Sequence, residues 1–320
     1  VWPGDQRPYG SGYIDKIGYP ADKFEVLWAK GFQPCRQRNA AAKQAFGEIL
    51  VLFDDDSCPR SDFFKQLEKH YADDDVVGVG GPNPAEPTDK FIPNLVEAVF
   101  HSRIAVLSKV SRYKPTGTIR PGTDSDFIFC NFTIRKEIYQ QLGGLDARLC
   151  PNEENEFFER FFRQFPEKKL IYDPDLIAME PRPDTIGSFL KKMFGYGRGR
   201  GRQFKVKPGF WSGLHLMGGF VIFLPLLLLY SWGWKALLVL GTSYCTGLFC
   251  ATVSCVFTNS RKSIALALAP AILATHLFYA LGLWRGLFSS LKLSGKAKEP
   301  IKLERYDIKT KKTIFIGEFE

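Results

Sequence analysis

From residue 1 to about residue 180, short apolar runs alternate with amphipathic ones, the pattern of strands exchanged with helices in an α/β sheet. FEVLWAKG (24–31), EILVLFDDD (48–56) and VVGVGGPN (76–83) read as strands, followed by FIFCNFTI (127–134) and KKLIYDPDLIAME (168–180). Between them RQRNAAAKQAFG (36–47) predicts a helix stopped at Gly47, and DFFKQLEKHYADD (62–74) a helix capped by Ser61. KFIPNLVEAVFHSRIAVLSKV (90–110) is helical in pattern after its proline. PNEENEFFERFFRQF (151–165) is a second strong helix, with Asn152 as a suitable N-cap. The stretch 110–126 is polar and carries two prolines, which predicts a loop long enough to act as a mobile lid through Arg112 and Arg120.

Beyond residue 208 the pattern changes. Between Pro208 and Ser260 the sole Asp, Glu, Lys or Arg is Lys235, and the runs 212–232 and 235–257 each reach the ~20 residues that span a bilayer. A third uncharged run, 263–284, follows the basic pair Arg261 and Lys262. Three such runs in succession predict a membrane protein with a soluble N-terminal domain. Seven Lys or Arg and no acid lie from Thr185 to Phe210, and nine basic against five acidic residues lie from Arg285 to the end. The positive-inside rule then places the N-terminal domain, the 258–262 loop and the C-terminal tail on the cytoplasmic side of a plasma (inner) membrane. Three complete spans conflict with that placement, so the first two runs are expected to form a hairpin. The third, with Pro270, Gly282 and Gly286, is expected to be re-entrant or interfacial. The expected boundaries are 1–184 for the N-terminal domain, 185–208 for a basic juxtamembrane segment, 209–288 for the membrane region and 289–320 for a basic cytoplasmic tail.

The net charge of +9 suits an anionic membrane or a nucleic acid. Its concentration beside the apolar block, without basic–aromatic interleaving on the N-terminal domain, argues against nucleic acid. The seven cysteines form no CxxC pair and read as free thiols of a reducing compartment, with no zinc site. The chain opens at Val1 rather than Met, which reads as a trimmed or incomplete N-terminus.

Three stretches carry candidate chemistry. Asp54, Asp55 and Asp56 end an apolar strand, and adjacent carboxylates resist ionising together without a positive partner. Asp54 and Asp56 are two residues apart and converge on one side, so they suit a hard divalent cation and a nucleotide diphosphate; an acidic solvated turn is the alternative. Glu153 and Glu154 complement a helix N-terminus, or one of them serves as a general base for a hydroxyl. GYGRGRGRQF (195–204) either clamps anionic headgroups or brings Arg198, Arg200 or Arg202 to a diphosphate, its glycines permitting an approach closer than a regular helix allows.

Taken in order, VWPGD, QRNAAAKQAFGEILVLFDDDSCP, CNFTIRKEIYQQLGGLD, PNEENEFFERF and GYGRGRGR, followed by membrane helices, resemble bacterial family 2 glycosyltransferases of the GT-A fold, an α/β, Rossmann-like nucleotide-sugar-binding domain. The resemblance implies that Asp54 and Asp56 are the DxD pair for Mg2+ or Mn2+, and that Glu154 is the catalytic base. It places Pro3, Arg38, Asn39, Asp54, Asp55, Asp56 and Arg198 on the donor side and Gly144, Asp146 and Glu153 on the acceptor side. Two departures stand out. WAKG (28–31) replaces the acidic strand end that reads the nucleotide base, so base recognition differs. AMEP (178–181) stands where a histidine is frequent, so Glu180 is the third metal ligand or the metal keeps another water. The QxxRW motif of processive synthases is missing, which implies one sugar per acceptor.

The implied reaction is an inverting displacement on a nucleotide-diphosphate sugar by a hydroxyl of a polyprenyl-diphosphate-linked or glycan acceptor, in surface polysaccharide synthesis at the membrane lipid. The alternatives are a polyprenyl-phosphate sugar transferase, which needs no general base, and a non-catalytic membrane scaffold.

Overall fold

The computed structural model describes residues 18–206, 233–258, 261–293, 295–308 and 310–319. These residues divide into two compact units, the first within 18–86, 111–181 and 292–319 and the second within 87–110, 182–206, 233–258 and 261–291.

The first unit is mixed α/β. Its strands are β1 (Val26–Lys30), β2 (Ile49–Leu52), β3 (Cys58–Pro59), β4 (Val76–Gly80), β5 (Arg120–Pro121), β6 (Phe132–Arg135), β7 (Lys169–Tyr172), β8 (Ala178–Met179), β9 (Ile301–Asp307) and β10 (Lys312–Phe319). Five of them form a central mixed sheet in the order β2-β6-β4-β7-β5. Here β6 is antiparallel to both β2 and β4, while β4 and β7 are parallel. The carboxyl ends of β2, β4 and β7 therefore share one sheet edge, where segments leaving the strands can converge. One face is filled by aromatic rings: Phe127, Phe129, Phe132, Phe157, Phe158 and Phe161 are buried together, and Phe132 meets Phe158 edge-on at 4.9 Å. The helix α1 (Pro34–Gln44) follows β1, α2 (Phe63–His70) follows β3, and α3 (Phe91–Phe100) and α4 (Arg103–Val106) belong to the second unit. Next come α5 (Lys136–Gln141) and α6 (Glu153–Gln164).

Local details depart from the sequence pattern. Ser61 does not cap α2, because Asp62 holds the N-cap position and its carboxylate is engaged by Arg60 at 2.6 Å. Asn152 stands at the N-cap of α6 without a capping bond; its Oδ1 accepts from Asn155 Nδ2 at 2.7 Å. The single helix expected over 90–110 is broken after Phe100, where Ser102 is extended and Leu107 takes a left-handed φ of 53°. The polar stretch 110–126 is held in place rather than hanging free. Asp126 accepts from Ser111 Oγ, Arg120 and Thr123, and Arg112 is buried against the carbonyls of Asp124 and Ser125.

The expected tail is instead part of the first unit. Strand β9 lies between β1 and β10, antiparallel to both. Ile301 and Leu303, two residues apart, are buried on one face of β9, and Tyr306, three residues further on, is buried on the other, inside a stretch dominated by its charge. Lys30 pairs with Glu304 at 2.7 Å, and Trp28 stacks on Tyr306 at 5.2 Å. The WAKG ending of β1 is thereby engaged by the hairpin.

In the second unit the stretch expected to be a juxtamembrane segment is a regular helix, α7 (Ile186–Val206). Two further helices, α8 (Gly233–Thr258) and α9 (Lys262–Leu287), are long and apolar enough to cross a membrane, with mean hydropathy of 1.5 and 1.9 over an 18-residue window of each. The run 212–232 lies outside the described residues. The third run, expected to be re-entrant or interfacial, is an unbroken helix through Pro270. At 26 residues it is about 39 Å long, sufficient for a full span.

The glycines of GYGRGRGR serve this helix pair. A Cβ on Gly197 would strike the carbonyl of Tyr279, and one on Gly201 that of Leu283. Reciprocally, Gly282 faces the carbonyl of Phe194 and Gly286 that of Arg198. Backbone lies on backbone, the contact that small residues at four-residue spacing permit.

Two outcomes are expected. Gly282→Leu should lower thermal stability of the purified protein, because overpacking costs about 1–3 kcal/mol or more and outweighs the helix-propensity gain of about 1 kcal/mol; an unchanged melting temperature would contradict the backbone contact. Leu303→Ala should cost about 2–5 kcal/mol in chemical denaturation, whereas an unstructured tail would show no loss.

Candidate functional site

The strand β2 delivers Asp54, Asp55 and Asp56 to the shared sheet edge. The chain turns there: Ser57 N donates to Asp54 O at 3.0 Å, and Asp54 N donates to Ser57 Oγ at 3.2 Å. It then enters β3, whose pairing with β8 sets Cys58 opposite Met179 and Pro59 opposite Ala178. That register fixes the residue after Met179, Glu180, beside the aspartate turn. Glu180 is buried, and its backbone N donates to Pro84 O at 3.0 Å. One carboxylate oxygen from each of Asp54, Asp56 and Glu180 lies within 4.8 Å of the others. All three donors are hard oxygens, the type that Mg2+ and Mn2+ take, so the trio fits such an ion.

Arg38, one turn into α1, binds this cluster to α6. Its Nη1 donates to Glu153 Oε1 at 3.0 Å, and its Nη2 donates to Asp54 Oδ1. Its guanidinium also lies over the Phe129 ring at 5.5 Å. Burial works against the Arg38 charge, but Asp54 and Glu153 more than restore it and push its pKa above the usual arginine value. Glu153 is the mirror case: burial, reinforced by Glu154, raises its pKa, and Arg38 counters only part of the rise. Glu153 is thus a buried structural partner rather than a group open to an acceptor.

Glu154 is more accessible, with its side chain 17% exposed. Arg112 Nη1 pairs with its Oε1 at 3.4 Å, and Nη2 of the same arginine donates to Asn155 Oδ1 at 3.3 Å. Sequence reasoning had assigned Arg112 to a lid; in the fold it orients the carboxylate at the start of α6. No local spacing signals this pair, because the two residues meet through the folded 110–126 stretch.

Asn39 does not face the donor side as expected. Its Oδ1 accepts from Leu145 N at 2.9 Å and Tyr139 Oη at 2.7 Å, and its Nδ2 donates to Leu145 O at 2.9 Å. It props the Gly143–Gly144 turn, where Gly144 has a φ of 72° and leaves no room for a Cβ beside Asn39. Asp146 receives Arg148 and caps the following 3-10 turn; burial raises its pKa, but the side-chain and backbone hydrogen bonds from Arg148 outweigh that and hold it below the usual value. Arg198 lies on α7 of the second unit, with its Nε buried and unbonded. Pro3 lies outside the described residues.

A cavity of about 550 Å3 opens between β1 and β2. Strand edges and apolar residues such as Leu27, Leu50 and Leu67 form most of its wall, and Arg38, Asp54, Asp55 and Ser57 close one end. Asp55 and Asp54 thus border the cavity together, contrary to a strict two-residue alternation.

The family model for glycosyl transferase family 2 matches residues 21–143. That span contains Arg38 and all three aspartates, while Glu153, Glu154 and Glu180 follow it. No curated protein matches the chain.

Asp126 anchors the stretch that carries Arg112. Burial raises its pKa, but hydrogen bonds from Arg120, Thr123 and Ser111 together hold it below the ordinary carboxylate value. Its stabilising effect is therefore complete above an unfolded-state pKa of about 3.9 and fades as pH falls through that value toward the folded one. Asp126→Asn is expected to cost about 1.5–3 kcal/mol at neutral pH, with the gap to wild type closing below about pH 4. Denaturation at several pH values tests this, and a gap independent of pH would refute it.

Proposed function

We propose that the chain, whose residues 21–143 match the family model for glycosyl transferase family 2, is a glycosyltransferase that moves one sugar, with inversion, from a nucleotide-diphosphate sugar to a hydroxyl of a lipid-linked or glycan acceptor. The observation that carries this reading is the convergence of Asp54, Asp56 and Glu180 at one sheet edge, tied through Arg38 to the helix start that bears Glu154.

In this reading Glu154 accepts the proton of the acceptor hydroxyl as that oxygen bonds to the anomeric carbon. The bond from that carbon to the diphosphate oxygen breaks, and the nucleotide diphosphate leaves on the opposite face. Arg112 holds the Glu154 carboxylate in one orientation, which removes a rotational cost from the encounter. Arg38 pairs with Asp54 and fixes its carboxylate. A divalent ion such as Mg2+ or Mn2+, when held by Asp54, Asp56 and Glu180, supplies positive charge to the departing diphosphate. Asp55 borders the same end of the β1–β2 cavity and is assigned to the donor side. Because β9 engages the end of β1 through Lys30 and Trp28, the nucleotide base is read by other groups than a strand-end carboxylate.

The apolar helices α8 and α9 support an enzyme seated on a membrane, and the distribution of lysine and arginine supports a cytoplasmic catalytic unit. An acceptor carried on a polyprenyl diphosphate suits that setting, as does a role in surface polysaccharide synthesis.

Two substitutions separate the roles. Asp56→Asn should abolish Mn2+-dependent binding of nucleoside diphosphates in calorimetric titration. Glu154→Gln should retain that binding and lose about 100-fold or more in sugar transfer. Full turnover by Glu154→Gln would redirect the acceptor to an already ionised lipid phosphate, and nucleotide binding indifferent to both metal and Asp56 would remove the metal assignment.

A further inference from the structure

The first unit contains a second cluster of metal-ligating atoms that glycosyl transfer does not use. Cys35 is the second residue of α1 and fully buried, and Cys150 precedes α6 by three residues and is partly exposed. Glu153 is the first residue of α6. The two sulfurs and a Glu153 carboxylate oxygen lie within 4.8 Å of one another, and neither cysteine is in a disulfide. We propose that Cys35, Cys150 and Glu153 form a binding site for a soft divalent cation of the zinc class, with water as the fourth ligand on the side of Cys150.

The donor set supports this assignment. Thiolate and carboxylate are zinc ligands at about 2.3 Å and 2.0–2.2 Å, so tetrahedral neighbours stand roughly 3.3–3.8 Å apart. The three atoms need shifts of about 1 Å at most to reach that spacing, within the range of side-chain torsions. Charge also balances. On binding, each thiol gives up its proton, two protons leave and one dication enters, so the buried region gains no net charge. The Glu153 carboxylate and the water contribute lone pairs only, and nothing is oxidised or reduced.

The two clusters divide cations by softness. Asp54, Asp56 and Glu180 offer oxygen alone, whereas Cys35 and Cys150 offer sulfur, which selects zinc-class ions over magnesium. Arg38 touches one acid of each cluster, Asp54 and Glu153. An ion at the sulfur cluster ties the N-terminus of α1 to the start of α6, and this holds whatever reaction the oxygen cluster supports.

The test is a titration of the full-length protein with Cd2+ in excess Mg2+, in a Cys245→Ser, Cys250→Ser background that removes the exposed thiols of α8. The expected result is a thiolate-to-metal charge-transfer band saturating at one equivalent, with two protons released. Cys35→Ser and Cys150→Ser should each abolish the band, Glu153→Gln should weaken binding about tenfold or more, and Cys58→Ser and Cys130→Ser should leave it intact. Because Cys150 is partly exposed, its variant guards against misfolding of the Cys35 one. A band that survives both serine substitutions, or none at saturating Cd2+, would overturn the site. So would a loss of both thiols before metal is added, since that would identify the pair as a disulfide.

Discussion

The catalytic unit depends on one buried guanidinium. Arg38 stands between the aspartate turn that ends β2 and the acidic start of α6, and each of its two terminal nitrogens is taken by a carboxylate. Two negative groups brought this close would repel, and Glu153 in particular is too deeply buried to be charged alone. The arginine makes their approach possible, and they in turn keep a buried cation in place. Removing one member of such a group leaves an uncompensated buried charge, a loss of about 3–5 kcal/mol, and this mutual dependence welds two distant chain segments into one site.

Around this link the rest of the unit acts as positioning. Arg112 repeats the device at smaller scale, orienting Glu154 while its own guanidinium is held by the carbonyls of Asp124 and Ser125. Asn39 uses both its amide groups on the Leu145 backbone and so sets the turn before Asp146. The short β3–β8 ribbon contributes little area but sets the register that brings Glu180 to the aspartates. The C-terminal hairpin completes a sheet with β1, and Lys30 finds its counter-charge there in Glu304.

The second unit follows a different physical rule. Where α7 meets α9, apolar side chains are not what brings the helices together; the absence of side chains is. Four glycines, two on each helix, let carbonyls of one approach the backbone of the other. The basic residues interleaved with them on α7 hide this function in the sequence, because the alternation of glycine and arginine suggests a loop or a headgroup clamp before it suggests a helix face.

The sequence by itself determined what local pattern can encode. The alternation of strands and helices from residue 24 to 180 follows from periods of two and about 3.6, the apolar helices α8 and α9 from length and composition, and the position of Asp54–Asp56 from their adjacency to an apolar strand. It also singled out Glu180 and Glu154 by resemblance, without showing what either would touch. Only the tertiary structure decided that Glu180 joins Asp54 and Asp56, that Arg112 meets Glu154, that Asn39 serves a turn, and that Cys35 meets Cys150. It also decided that a basic tail becomes β9 and β10. The reason is physical: side-chain periodicity reports which face of an element is buried, whereas strand register and the crossing of distant segments decide which buried groups become neighbours, and neither leaves a mark in local spacing.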